Sequence, residues 1–317
     1  MRFPLRSHRV RHWTHAVTVL QERLLLVSLI FQGVLLGILT GGVYALMASG
    51  LTLIFGVLEI INVAQGILVV LGAYLTFVLE QHFRLDLFVG LLITMPLMFG
   101  LGVLLEWAFI RRLKWERVTI SILVTYAIAL IIEGALGFVF TTNFVSLNSW
   151  YIDATVDVAG FYINYVYIFV FILSVVLLGI LYLLVYRTTF GRTLRASMQN
   201  RTAAALIGVN VPRVQAITFG IGVALAGAGG MAFGATNEFN PASSYDLIYR
   251  LLVIIVLGGM GSLGGSLIAS LIMVILGDVI ALVWSPVWSS TAFFALLVLL
   301  LLFRPQGLFG RVEGRKQ

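Results

Sequence analysis

Residues 24–79 read LLLVSLIFQGVLLGILTGGVYALMASGLTLIFGVLEIINVAQGILVVLGAYLTFVL, and Glu59 is the only Asp, Glu, Lys or Arg among them. An α-helix rises about 1.5 Å per residue, so roughly 20 apolar residues cross the ~30 Å hydrocarbon core of a bilayer. The stretch is too long for one crossing and too apolar for a soluble domain, whose exterior must be polar. Gly41-Gly42 and the polar patch 59–65 divide it. A second unbroken block, 251–303, is divided by the glycines of 258–265 and by Trp284-Ser285-Pro286. Between the blocks, residues 88–110, 118–140, 166–186 and 214–235 each read as a single crossing. The fold class is therefore all-α: a polytopic transmembrane helix bundle.

Composition agrees. Of 317 residues, 61% are hydrophobic and 10% charged, whereas soluble domains run near one quarter charged. The 32 glycines suit close helix packing in lipid. With no cysteine, disulfides, thiolate nucleophiles and Cys-ligated metals are excluded. The net charge of +7 sits in short segments between apolar runs, which is the positive-inside pattern and not a nucleic-acid face.

Those segments orient the chain. Residues 1–23 are basic, and the apolar run after them reads as a retained span, not a cleaved signal peptide. Basic clusters recur at Arg111, Arg112, Lys114 and Arg117, then at Arg187, Arg192, Arg195, Arg201 and Arg213, and at Arg304, Arg311, Arg315 and Lys316. All four are expected on the cytoplasmic side. Segments 80–87, 141–165 and 237–250 are expected outside. Parity then asks for an odd number of crossings in each long block, either three short ones or one with re-entrant pieces. The expectation is eight to ten spans, both termini cytoplasmic, with a basic segment 1–23, a transmembrane domain 24–303 and a basic tail 304–317.

Several segments carry further information. Gly33, Gly37 and Gly41 lie four apart and read as a helix-packing stripe, as do Gly230 with Gly234 and Gly261 with Gly265. Gly258, Gly259, Gly261 and Gly264 read as a break in a membrane helix. The formal dinucleotide pattern that they make lacks its strand and helix context, and no Walker-type loop occurs. Asn62 and Gln65, three apart in the polar patch, place two amides on one helical face; unpaired amides in hydrocarbon are costly, so they should meet protein, water or solute. With Gly66 beside them and Thr52 and Tyr44 behind, they are the candidate pathway residues. Segment 187–213 is long for a connector. Ala203 to Ile207 favours a short helix that Gly208 caps and that Asn210 and Pro212 end. The acids Glu59, Glu106, Glu133 and Asp278 fall near segment ends or breaks and read as interfacial. No nucleophile–base set and no metal-ligand cluster is visible, so enzyme activity has no support and no metal or cofactor is expected in this chain.

The runs Gly50-Leu51-Thr52-Leu53-Ile54-Phe55-Gly56-Val57, Ile61-Asn62-Val63-Ala64-Gln65-Gly66 and Leu71-Gly72-Ala73-Tyr74 resemble the branched-chain amino acid ABC transporter permeases. So do Gly191-Arg192 with Arg195-Ala196, Ile207-Gly208-Val209-Asn210, Leu257-Gly258-Gly259-Met260-Gly261-Ser262 and the ending Phe303-Arg304-Pro305-Gln306-Gly307-Leu308-Phe309-Gly310. The likeness covers about residues 30–310 and is closer to the shorter of the two permease types. The family often has His at Gln65 and Phe at Val63, and related permeases carry urea, short amides or other small organic solutes. The resemblance implies an importer in the cell membrane. A second permease, alike or related, completes the pathway. Cytoplasmic ATP-binding subunits bind the ATP, and an extracytoplasmic solute-binding protein delivers the solute. It also implies ATPase contact at segment 187–213, through Gly191, Arg192, Arg195, Ala203, Leu206, Gly208 and Asn210. An ion-coupled secondary transporter is the main rival.

Overall fold

The computed structural model describes residues 7–113, 117–158, 161–304 and 307–309; the side chains of 7–22, 24, 25, 117, 153, 158 and 161 are not described. Residues 1–6 of the expected basic segment 1–23, most of the tail 304–317 and Lys114 therefore lie outside the described residues. In chain order, α1 spans Ser7–Leu58, α2 Gln65–Phe83, α3 Leu87–Ala108 and α4 Arg117–Phe140. A short α5, Trp150–Asp153, precedes an antiparallel hairpin of β1, Thr155–Val158, and β2, Phe161–Asn164. Then follow α6 Tyr165–Arg187, α7 Thr189–Gln199, α8 Arg201–Leu206, α9 Val211–Thr236, α10 Ser243–Gly258, α11 Leu263–Val283 and α12 Pro286–Phe303. The hairpin is a small departure from the all-α expectation and sits in the segment expected outside.

Eight helices among the described residues are long and apolar enough to cross a bilayer, namely α1 from Leu26, α2, α3, α4, α6, α9, α11 and α12. The four single crossings match the sequence reading to within a few residues. The 16-residue α10 reaches only ~24 Å, less than a full hydrocarbon core.

The long blocks differ from expectation in an instructive way. Gly41-Gly42 is no division: α1 runs through it unbroken, because both glycines are filled from outside. A β-carbon at Gly41 would stand 3.1 Å from Leu271, and one at Gly42 would stand 2.7 Å from the Phe171 ring. The only interruption is the stretch 59–64, so block 24–79 holds two membrane helices and not an odd number.

This changes the topology. α1 lies antiparallel to α11, with Gly33 against Val279, Gly37 against Ile275 and Gly56 near Gly261. The Leu58 end of α1 shares a face with α7 and α8, since Arg201 donates to the Val57 carbonyl at 2.8 Å. The chain beyond α12 is on that face too, where the Leu308 N–H donates to the Leu257 carbonyl at 2.7 Å. Leu26 therefore emerges on the other face, with the 84–86 turn and the hairpin. The described ends of the bundle, Leu26 of the first membrane span and Leu308 beyond α12, thus lie toward opposite faces. The described Arg111, Arg112, Arg187, Arg192, Arg195, Arg201, Arg213 and Arg304 still gather on one face, hereafter the basic face.

Glycines permit the closest approaches. A β-carbon at Gly37 would stand 2.5 Å from the Ile275 Cα, one at Gly72 2.5 Å from the Gly227 Cα, and one at Gly258 2.6 Å from the Gly265 carbonyl oxygen. Backbones that touch in this way gain dispersion contact that lipid cannot match. α9 forms the centre, with buried residues along nearly its whole length. Buried charge is paired: Glu106, 1% exposed, meets Arg111 at 2.8 Å. On the face opposite the basic one, Asp86 caps α3 by accepting from the Phe88 N–H at 2.9 Å and accepts from the Tyr151 hydroxyl at 3.1 Å. Burial pushes that hydroxyl up to about 12, so it stays a donor.

Candidate functional site

Asn62 and Gln65 are brought together, as their spacing predicts. The Asn62 amide donates to Gln65 Oε1 at 3.2 Å, and Gln65 Nε2 donates to the Gly222 carbonyl of α9 at 3.3 Å. The Val63 N–H, freed by the break, donates to Thr125 Oγ1 of α4 at 3.1 Å. The network thus ties the 59–64 break to α4 and α9. Asn62, Gln65 and Thr52 are fully buried and line none of the described cavities. Gly66 is filled by α10, where a β-carbon would strike the Ser244 carbonyl. Tyr44 alone of the five candidate pathway residues faces open space.

That space is a cavity of about 130 Å³ between α1, α9, α10, α11 and α12. It lies toward the face opposite the basic one, level with Thr236 and Asn237 at the end of α9. Thr40 and Tyr44 line it from α1, Arg250 from α10, Asp278 from α11 and Phe293 from α12. The Thr40 hydroxyl donates to Asp278 Oδ2 at 3.0 Å. Asp246, one turn before Arg250, approaches the guanidinium at 2.8 Å, and the Phe293 ring lies 5.2 Å from it. Asp278 was expected to be interfacial and Arg250 to lie in an outer loop. The structure sets both on the wall of one cavity, with Arg250 in a helix where a loop was expected. The sequence signal for Arg250 was its spacing from Asp246, an i,i+4 pair that marks a helix where a loop was expected.

A second cavity, of about 490 Å³, opens at the basic face between α1, α6, α7 and the 259–262 turn. Glu59, Arg195 and Met198 line it, as does Gly264, where a β-carbon would meet nothing within 4 Å. Gly264 is therefore not a packing contact, unlike Gly33, Gly37, Gly41 and Gly258. Gly259 and Gly261 make the expected break, at φ of +92° and +84°. Ser262 restarts the chain by accepting from the Gly265 N–H at 3.1 Å.

Segment 187–213 splits into a fixed part and a free part. Gly191 is buried against the end of α6, with no room for a β-carbon beside the Val185 carbonyl. The Arg195 guanidinium donates to that same carbonyl and lies 5.3 Å from the Tyr186 ring. These residues hold α7 to α6, while Arg192 is exposed. α8 forms where the short helix was expected, opened by Asn200, which accepts from the Ala203 N–H at 3.0 Å. Gly208 follows at φ +90°. Asn210 does more than end α8: it caps α9 by accepting from the Arg213 N–H at 3.1 Å. Ala203 is exposed, and at the tip Leu206 and Ile207 are 84% and 77% exposed, two large apolar side chains beyond the basic face.

Comparison with known proteins places the chain. The family described as branched-chain amino acid transport system, permease component, matches residues 33–302. BraD of Pseudomonas aeruginosa, named a high-affinity branched-chain amino acid transport system permease protein, is 29% identical over 307 residues, covering 88% of this chain and 95% of that protein. LivH of Escherichia coli K12, named likewise, is 29% identical over 299 residues with the same coverage. LivM of the same organism, also named a permease protein of that system, is 30% identical over 124 residues, covering 38% of this chain and 29% of that protein. No solved structure matches the chain.

Proposed function

Because the chain belongs to the family of branched-chain amino acid transport system permease components, we propose that it is the membrane-spanning permease of an ATP-driven, binding-protein-dependent importer for branched-chain amino acids. It is a multi-pass membrane protein, and its relatives are transport permeases, not enzymes. In this reading the chain pairs with a second permease, and the pair encloses the pathway through the cell membrane. Separate ATP-binding subunits dock beneath the basic face, which is cytoplasmic by the positive-inside rule. A solute-binding protein docks on the opposite face.

The observation that carries the reading is the α7–α8 arm. A soluble partner needs an anchor on a rigid base, and binding energy concentrates in a few side chains fully desolvated at the centre of a contact. Leu206 and Ile207 supply the anchor. The base is supplied by Arg195 on α6 and by Arg201 on the end of α1. An ATPase that closes on this arm therefore pulls directly on membrane helices, which is what alternating access requires. The permease itself needs two packed states and no catalytic group.

Reconstitution tests this. The chain, its partner permease and the ATPase subunits in proteoliposomes should take up labelled L-leucine only with ATP and the loaded binding protein present. Uptake by the chain alone, driven by an ion gradient and indifferent to ATP, would overturn the proposal.

A further inference from the structure

Arg250 and Asp278 line one cavity from facing helices, yet they do not pair with each other. Among the described residues, Asp278 has no cation within ion-pair distance, and its one hydrogen bond comes from Thr40. Charged side chains at this depth are costly and persist when they meet a counter-charge, water or a solute. A structural ion pair would close the gap between them. Here the gap is kept open by Thr40 on Asp278 and by Asp246 and the Phe293 ring on Arg250. The Tyr44 hydroxyl and the Asn237 amide stand on the same walls, and one water needs only ~10–15 Å³ of a cavity measured at about 130 Å³.

We infer that this cavity is a zwitterion subsite, in which Arg250 receives the carboxylate and Asp278 the ammonium of an α-amino acid on its way through the bundle. Guanidinium and carboxylate match as a planar fork. The ammonium gains a charged acceptor. Val43, Val274 and Phe293 on the same wall offer an apolar bed for the solute's side chain. The inference rests on the proposed function and narrows it. A urea or amide solute carries neither charge, so it brings Asp278 no cation and gives Arg250 no anion beyond Asp246, and the pair selects for amino acids over neutral solutes.

The test uses the assembled complex in nanodiscs without binding protein, read by saturation-transfer NMR, which detects weak binding. The probes are L-leucine, leucinamide, which lacks the carboxylate, and 4-methylpentanoate, which lacks the ammonium. The wild type should bind leucine about tenfold or more tightly than either analogue, the worth of one charge-assisted hydrogen bond. Arg250→Gln should abolish the preference over leucinamide and keep that over 4-methylpentanoate; Asp278→Asn should do the reverse. Arg250→Lys, which keeps the charge, should bind leucine at an intermediate level and controls for folding. Equal binding of all three probes by the wild type, or the same loss of preference in both neutral variants, would overturn the subsite. If the wild type still shows ATP-dependent leucine uptake in the proteoliposome assay, the proposed function survives that outcome; if uptake also fails, both readings fall.

Discussion

The Arg201 guanidinium donates to the Val57 carbonyl at 2.8 Å and stands 3.6 Å from the Glu59 carboxylate. It so fastens the exposed arm of the basic face to the last turn of α1. The contact closes a helix end whose carbonyls otherwise lack partners, and Glu59 reaches it through a left-handed backbone, φ 52°.

Arg201→Gln should loosen that fastening. A hydrogen bond from a charged group is worth about 1.5–3 kcal/mol, and the part-exposed ion pair adds at most ~1 kcal/mol. We expect ATP hydrolysis by the reconstituted complex to persist while leucine uptake per ATP falls by about tenfold. Parallel measurement of phosphate release and uptake checks this; unchanged stoichiometry refutes it.

Leu206→Asp should weaken ATPase docking without unfolding the chain. The side chain is 84% exposed, so stability should stay within about ±0.5 kcal/mol, while capture of the purified ATPase falls by about tenfold or more. Gly208 beside it tests geometry. Its φ of +90° strains any side chain although the space around it is open. Gly208→Val should uncouple hydrolysis from uptake more than Gly208→Asn, since Asn tolerates positive φ.

Gly37→Leu should separate α1 from α11. Its β-carbon would stand 2.5 Å from the Ile275 Cα, which is backbone and cannot swing aside. Overpacking of this kind costs about 1–3 kcal/mol or more. Thermal unfolding in detergent should show a clear fall in midpoint, while Gly264→Ala, in open space, should leave it unmoved. Equal midpoints for the two variants would contradict the packing.

Asn62→Leu should act on both stability and transport. It removes the donor to Gln65 Oε1 and leaves that buried acceptor alone, at about 1–3 kcal/mol. Leucine uptake should fall with assembly of the ATPase intact. Retained uptake with a lowered midpoint would leave Asn62 a purely structural residue.

How far the sequence carried can be judged at particular positions. Single crossings were legible because one apolar run between charged loops has one solution in lipid. Gly41-Gly42 was not, since a glycine pair in a membrane helix marks either a break or a close contact, and only Leu271 and Phe171, far along the chain, decide which. The odd-number parity rule failed with it, since block 24–79 has the one interruption at 59–64 and holds two helices. Asn62 and Gln65 were found as a pair, but Gly222, which accepts from Gln65, and Thr125, which accepts from the neighbouring Val63 N–H, were invisible to spacing. Arg250 and Asp278 were missed as a set because nothing local links an apparent loop residue to an acid one helix later.

The unbroken course of α1 has a mechanical meaning. The same rod bears Val57, held by Arg201, and Thr40 and Tyr44, which wall the outer cavity. Its backbone hydrogen bonds scarcely stretch, so a tug of an ångström at one tip arrives as an ångström roughly 20–25 Å away. A glycine hinge at Gly41-Gly42 would have absorbed that stroke; the packing that stiffens the pair makes the helix a push-rod between two compartments.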